Sequence, residues 1–243
     1  MRRKVFLIVS LLIIVLVLVS YFLYREIYKK EVSGKNVQIE AVGNDVQSNP
    51  EDEKSLPVVF PDKTISNVPF TCQAPFANWD VHENSCEEAA ILMPYYYFEG
   101  KTLTPQIADS ELRAMVLWET KNWGPEKDLT CDETLNLIKT YYNYQSCKVV
   151  KNITPNDIRK QIYLDNLVIV PVMTQPLHNP NYRPRDVYHM VLIKGYDSTG
   201  VITNDAGIKE GENWHYSWDV IFGAIDAQSA TMNQGREMIV FKK

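Results

Sequence analysis

The order of helix and strand signals along residues 58–243 is the strongest constraint on the fold of this chain. Four helix starts are marked in the first half of this segment by helix-favouring runs, N-cap residues or a following proline, at Cys86, Thr104, Thr130 and Thr154. Short β-rich runs separated by turn residues fill the second half, at residues 167–172, 187–194, 200–204 and 237–241. One short helix, capped by Ser217, interrupts them. Helices followed by strands predict an α+β fold in which N-terminal helices pack on a C-terminal antiparallel sheet.

A long apolar run precedes this segment. Residues 5–23 form nineteen positions without a charge, which is close to the length needed to cross a bilayer as a helix. The alternative is a cleaved signal peptide, whose apolar region is shorter and is followed by a small-residue cleavage site. Here the run ends in aromatic residues and Arg25, without such a site. The sequence therefore predicts an uncleaved membrane anchor in residues 1–30, with a transmembrane helix at about residues 5–24.

Residues 31–57 are polar and charged and contain few bulky apolar groups, which is typical of a flexible stalk. Basic residues flank both ends of the apolar run almost equally, so the positive-inside rule does not decide its orientation. A short N-terminal tail followed by a large domain is the usual layout of a signal anchor. We therefore expect a single-pass protein of the cell membrane whose domain, residues 58–243, lies outside the cytoplasm.

The charge of the remaining chain argues against nucleic acid as a partner. Residues 36–243 hold 18 Lys or Arg against 28 Asp or Glu, a net charge near −10. An acidic surface of this kind repels a phosphate backbone.

The chain contains four cysteines, Cys72, Cys86, Cys131 and Cys147, and no two of them form a C-x-x-C pair. A structural metal site therefore has little support, and no phosphate-binding glycine-rich loop is present, so the sequence predicts neither a metal nor a cofactor. Cys131 and Cys147 either form a disulfide in an oxidising compartment or remain buried free thiols. The sequence leaves both possibilities open.

Cys86 is the candidate nucleophile because its helix start favours a thiolate. Glu87 and Glu88 follow it in the first turn and oppose an adjacent negative charge, so they must point away from the sulfur or be paired. The helix dipole is therefore insufficient, and a base is needed to activate the thiol.

His189 and Asp205 can supply that base and the group that orients it. His189 lies within the strand run VYHMVLIK, where a lone histidine is more often a core residue. Asp205 ends the next strand after a turn at residues 196–200, so a hairpin would bring the carboxylate beside the imidazole.

Two other features near these residues are weaker candidates for a functional role. His82 lies four residues before Cys86, in a segment whose composition favours a loop over a metal-binding helix. Residues 174–186 are rich in Pro and Asn and are expected to form either a rim or lid over the cleft or an ordinary exposed loop.

Three separated blocks, VPFTCQAPFANWDVHENSCEEAAILM, DVYHMVLIKGYD and VITNDAGIKEGENWHYSWDVIFGAI, resemble the C39-like peptidases, papain-like cysteine peptidases related to bacteriocin-processing domains. The resemblance covers about residues 58–241. It implies a papain-like fold with Cys86 as nucleophile, His189 as general base and Asp205 as orienting acid. It also places Gln73 in the oxyanion hole, together with the backbone N–H of Cys86.

The function implied by this resemblance is membrane-tethered, thiol-dependent cleavage of a peptide or amide bond through an acyl-enzyme, with a peptide or protein as substrate. Two alternatives share the same residues. A transglutaminase-like acyl transferase also has the Cys…His…Asp order, and a papain-like module can retain its triad as a catalytically silent binding module.

Overall fold

The computed structural model, which describes residues 59–125, 127–182 and 185–243, contains an antiparallel sheet with helices packed against it. The α+β prediction is therefore confirmed. The predicted anchor (residues 1–30) and stalk (residues 31–57) lie outside the described residues and stay predictions. Within the described ranges, no helix has both the length and the apolar character needed to cross a bilayer.

The described residues form six α-helices: α1 (Trp79–His82), α2 (Cys86–Phe98), α3 (Pro105–Trp123), α4 (Cys131–Tyr141), α5 (Pro155–Tyr163) and α6 (Trp218–Met232). The four predicted helix starts in the first half are confirmed. Capping explains why helices begin there: the Thr130 hydroxyl accepts from the Glu133 N–H while Glu133 binds back to the Thr130 N–H. Helix α6 spans fifteen residues and is longer than the short helix predicted after Ser217.

The strands are β1 (Lys63–Thr64), β2 (Cys147–Lys151), β3 (Leu167–Met173), β4 (Tyr188–Tyr196), β5 (Gly200–Asn204), β6 (Glu212–Ser217) and β7 (Glu237–Phe241). Their order in the sheet is β2-β7-β3-β4-β5-β6, with β1 paired to β4, and all pairs are antiparallel. The sequence predicts β3, β4, β5 and β7 and misses the other three. Those strands are short or lie at the sheet edges, and β6 is largely polar and exposed, so none has a strong apolar pattern.

The centre of the sheet is covered on both faces. Every residue of β3 is buried, and successive side chains of a strand point to opposite faces. Helix α2 packs against β4, while α6 packs against β3. The N-terminal turn of α2 and the strand that carries His189 are thereby held together in the core.

The hairpin that carries the two other candidate residues is formed by β4 and β5, as predicted. Leu192 pairs with Asn204, and the carboxylate of Asp197 closes the turn by accepting from the N–H groups of Thr199 and Gly200. Asp205 follows β5 directly, so it lies beside β4.

Candidate active site

A cleft of about 540 Å³ brings three of the four predicted site residues together. Its lining consists of Gln73, Trp79, Asp80, Glu83, Asn84, Cys86, Asp128, Thr174, Asn181, Tyr182, Arg185, Val187, Tyr188, His189 and Gly207. Asp205 is fully buried and binds His189. The cleft wall includes Thr174, Asn181, Tyr182 and Arg185 from the segment that the sequence predicts as a rim or an exposed loop. Arg185 forms an ion pair with Glu83 at 2.6 Å.

Cys86 begins helix α2, as predicted, and its side chain is 4% exposed. The thiol donates to Oε2 of Glu87 at 2.8 Å, and the backbone of Met190 on β4 donates to the sulfur. Burial, followed by the charge of Glu87, raises the pKa of Cys86 well above its ordinary value. The sulfur therefore carries its proton in the resting site and needs an acceptor for it.

His189 lies on β4 next to Met190, whose backbone touches the sulfur. Its Nε2 is 2.9 Å from Oδ1 of Asp205, within hydrogen-bonding distance. When Nε2 carries the proton and donates to Asp205, Nδ1 is the ring nitrogen left to accept a proton from the thiol. The contact between His189 and Asp205 that the predicted hairpin implies is therefore present.

Asp205 is held by four donors. Besides His189, its carboxylate accepts from the hydroxyls of Tyr182 and Tyr216, each at 2.7 Å, and from the N–H of Gly207 at 3.0 Å. Burial acts to raise the pKa of Asp205, but the charge and hydrogen bond of His189 and then the two phenols outweigh it, and the pKa lies below its ordinary value. The buried carboxylate is therefore ionised and fixed in orientation.

Tyr182, Tyr216 and Gly207 are site residues that the sequence reasoning missed. Burial and the charge of Asp205 raise the pKa values of both phenols, so they remain donors. A Cβ on Gly207 would overlap the Tyr182 hydroxyl and lie 2.9 Å from Cε1 of His189. Only a glycine at position 207 lets Tyr182 and the imidazole of His189 pack so closely. The sequence Asp205-Ala206-Gly207 after β5 is the local signal from which this close contact could have been predicted.

Gln73 lies in the cleft, but its side chain is engaged with the turn that precedes Cys86. Nε2 donates to the carbonyls of His82 and Glu83, both at 3.0 Å, and the backbone N–H donates to Ala206. Both amide hydrogens are therefore used. Its role in an oxyanion hole stays a prediction and requires Nε2 to leave one of these carbonyls.

His82 holds the same turn from the other side. It is 1% exposed, with Nε2 2.9 Å from Asp109 of α3 and Nδ1 3.3 Å from the hydroxyl of Ser85. The sequence assigned this segment to a loop, whereas residues 79–82 form helix α1. His82 thus links α1 and α3 to the residue directly before Cys86.

The two glutamates after Cys86 differ in their surroundings. Glu88 is paired as expected, through a hydrogen bond with Glu119 of α3. Glu87, in contrast, does not point away from the sulfur: one oxygen accepts from the Leu129 N–H at 2.7 Å, and the other accepts from the thiol. Burial raises the pKa of Glu87 to about 8 and that of Glu88 well above its ordinary value.

The other cysteines are separate from this chemistry. All four cysteines are free thiols, including Cys131 and Cys147, which are both buried. Of the two possibilities left open by the sequence, the structure therefore has the buried thiols.

Comparisons with known proteins identify the family to which the chain belongs. The model of the Peptidase_C39 like family matches residues 65–226, a range that includes Gln73, Cys86, His189 and Asp205. No curated protein matches the chain. Among solved structures, the crystal structure of a Bacillus anthracis protein assigned as a C39-like peptidase has 16% sequence identity and a TM-score of 0.49, covering 75% of this chain and 98% of that one. Because the family model spans more than half of the sequence, the chain belongs to the Peptidase_C39 like family.

Proposed function

We propose that this chain is a cysteine peptidase with Cys86 as nucleophile, His189 as general base and Asp205 as the group that orients the imidazole. The observation that carries the proposal is the 2.9 Å contact between His189 and a buried, ionised Asp205, next to a thiol at a helix start in one cleft. This set of residues meets the requirements for an activated thiol: a base, an orienting acid and a positive helix end.

The reaction follows from these positions. Nδ1 of His189 takes the thiol proton as the sulfur bonds to the substrate carbonyl carbon, and the carbonyl oxygen becomes an oxyanion. The imidazolium then gives its proton to the leaving amine, the C–N bond breaks and a thioester remains. Water attacks the thioester, passes a proton to His189 and releases the acid, after which the sulfur regains its proton.

The oxyanion needs donors at the place where its charge develops. The backbone N–H of Cys86 lies at the start of α2, where helix N–H groups have no partner within the helix. We propose Gln73 as the second donor, after its amide releases a carbonyl of the preceding turn.

The proposed setting is a membrane surface, since the uncharged run at residues 5–23 has the length of a transmembrane helix. The substrate would then be a peptide or protein outside the cytoplasm.

Thiol labelling tests the proposal. The full chain is treated with iodoacetamide across a range of pH, and the alkylation rate of each cysteine is measured by mass spectrometry. Cys72 is more exposed than Cys86, so exposure alone favours Cys72. We expect Cys86 to react fastest near neutral pH and His189→Ala to remove that preference.

Equal labelling of all four cysteines would contradict the proposal. A peptide-library digest, with Cys86→Ala as control, then separates the reaction classes. New termini indicate hydrolysis, whereas incorporation of an added amine without hydrolysis indicates an acyl transferase, and labelling without any turnover indicates a silent binding module.

A further inference from the structure

The carboxyl of Glu87 touches the atom that would perform the reaction. Its Oε2 lies 2.8 Å from Sγ of Cys86, and its Oε1 accepts the Leu129 N–H at 2.7 Å. Leu129 is itself held by the Tyr188 hydroxyl, which donates to its carbonyl at 2.6 Å. Glu87 is 1% exposed. Its carboxyl is thus fixed on one side by the backbone, and its other oxygen has the sulfur as its partner.

The surroundings of Glu87 oppose a second negative charge. The titratable groups facing it are Cys86 and Glu88 on α2, Asp128 on the loop between α3 and α4, Tyr188 on β4, and Glu119 of α3 behind Glu88. None of these neighbours is a lysine or arginine. His189, which follows Tyr188 on β4, is the group of the cleft that gains positive charge when it takes the thiol proton.

Resting on the proposed function, we propose that Glu87 is a further catalytic residue: its neutral carboxyl donates a hydrogen bond to the Cys86 thiolate, and its ionised carboxylate holds the proton on the sulfur. In the first state, Oε2–H faces S⁻ while the thiol proton is on Nδ1 of His189. In the second state, Glu87 has lost its proton to solvent, and the thiol donates to Oε2 as the structure shows. The number of protons differs by one, so rising pH converts the first state into the second.

Three physical arguments favour the neutral carboxyl in the active state. A thiolate and a carboxylate at 2.8 Å in a buried site repel each other strongly. A neutral carboxyl instead donates a hydrogen bond to the thiolate, which favours the charged form of the sulfur. Burial also keeps Glu87 protonated at neutral pH, since its pKa is raised to about 8.

The substitution Glu87→Gln is a permanent mimic of the neutral acid. A glutamine keeps the shape of the side chain, its Oε1 can accept from Leu129, and its NH₂ group can donate to the sulfur. It cannot become an anion. Glu99→Gln, at the exposed C-terminal end of α2, is the matched control because it removes the same charge far from the sulfur.

The test compares the alkylation rate of Cys86 against pH in the full-length wild type, Glu87→Gln and Glu99→Gln. We expect the wild-type rate to be highest below about pH 8 and to fall above it, by about ten-fold one pH unit higher. Glu87→Gln should lose this alkaline decline, so that its rate exceeds that of the wild type above about pH 8, and Glu99→Gln should follow the wild type at every pH. An alkaline decline that persists in Glu87→Gln would overturn the inference, and so would a loss of reactivity at neutral pH.

A second measurement does not depend on the variant. Carbon-13 NMR of labelled glutamate in the wild-type chain reports the charge of Glu87 directly, and we expect a neutral carboxyl at pH 7. An ionised Glu87 at that pH would contradict the inference. Failure of the proposed function would give a different result. The wild-type Cys86 would then show no His189-dependent preference over Cys72 in alkylation rate at any pH.

Discussion

The hydroxyl of Tyr182 donates to the same Asp205 oxygen that binds Nε2 of His189, at 2.7 and 2.9 Å respectively. Tyr216 donates to the other oxygen, and its own hydroxyl accepts from Asn179. The carboxylate therefore cannot rotate without breaking hydrogen bonds on both sides. A fixed acid of this kind holds the histidine in one tautomer.

Replacing Asp205 with asparagine should disable the thiol. An amide faces the four hydrogen-bond donors of this site with only one accepting oxygen, and it cannot stabilise the imidazolium. We expect the neutral-pH alkylation rate of Cys86 to fall by about 10²- to 10⁴-fold, with a loss of roughly 1–3 kcal/mol in the free energy of unfolding. Asp226→Asn, at an exposed ion pair with Arg236, is the control and should change neither quantity appreciably. Normal reactivity in Asp205→Asn would remove the residue from the mechanism.

Gly207→Ala should damage the site with little effect on the fold elsewhere. The added methyl group overlaps the Tyr182 hydroxyl and crowds Cε1 of His189, so one of the two must move away from Asp205. We expect a large loss of Cys86 reactivity in the alkylation assay. Gly223→Ala is the matched control, since no atom lies within 4 Å of its Cβ and alanine stabilises a helix by up to about 1 kcal/mol. Equal reactivity in the two variants would show that the close approach is unimportant.

Glu88→Gln should stabilise the fold in a pH-dependent way. Burial raises the pKa of Glu88 above that of the unfolded chain, so the folded state binds the proton more tightly. The resulting stability is fully present below the unfolded pKa of about 4.3 and is lost as pH rises toward the folded pKa. Glutamine has no proton to lose and can still donate to Glu119. Its urea midpoint should therefore exceed that of the wild type at pH 8 and approach it at pH 4, whereas exposed Glu99→Gln should show no such trend.

Gln73→Ala separates two roles of one side chain. Alkylation by iodoacetamide needs the thiolate but forms no oxyanion, whereas peptide cleavage needs both. If Gln73 serves the oxyanion, turnover of a peptide found in the library digest should fall by about 10²- to 10³-fold while the alkylation rate changes little. We expect this outcome, together with a lower melting temperature because the carbonyls of His82 and Glu83 lose their donor. A parallel fall in both rates would leave Gln73 only the role of positioning the turn.

The positions of the main groups were predictable because each depends on local signals. Cys86 lies at a helix start that composition marks. His189 lies on β4, and Asp205 directly follows β5, which a short turn joins to β4. Gln73 emerged only from the resemblance to a family. Its contacts with residues 82, 83 and 206 depend on how three loops meet.

Two of the missed features depend on contacts between distant segments. Tyr182 reaches Asp205 from a loop 23 positions away in the chain, and Glu87 is held by Leu129, 42 positions away. An acidic residue beside a thiol is unfavourable in isolation, so sequence reasoning turned Glu87 away from the sulfur. The backbone N–H of Leu129 and the burial of the carboxyl reverse that expectation.

Strand β7 lies between β2 and β3 in the sheet, and all five of its residues are buried. The ribosome makes it after every other described strand and helix. A nascent chain that lacks it has two unpaired strand edges where β7 belongs, so β2 cannot join the sheet and one edge of β3 stays uncovered during synthesis. The sheet is therefore complete only after residues 237–241 have emerged, and until then a growing chain exposes strand edges on which another chain could pair.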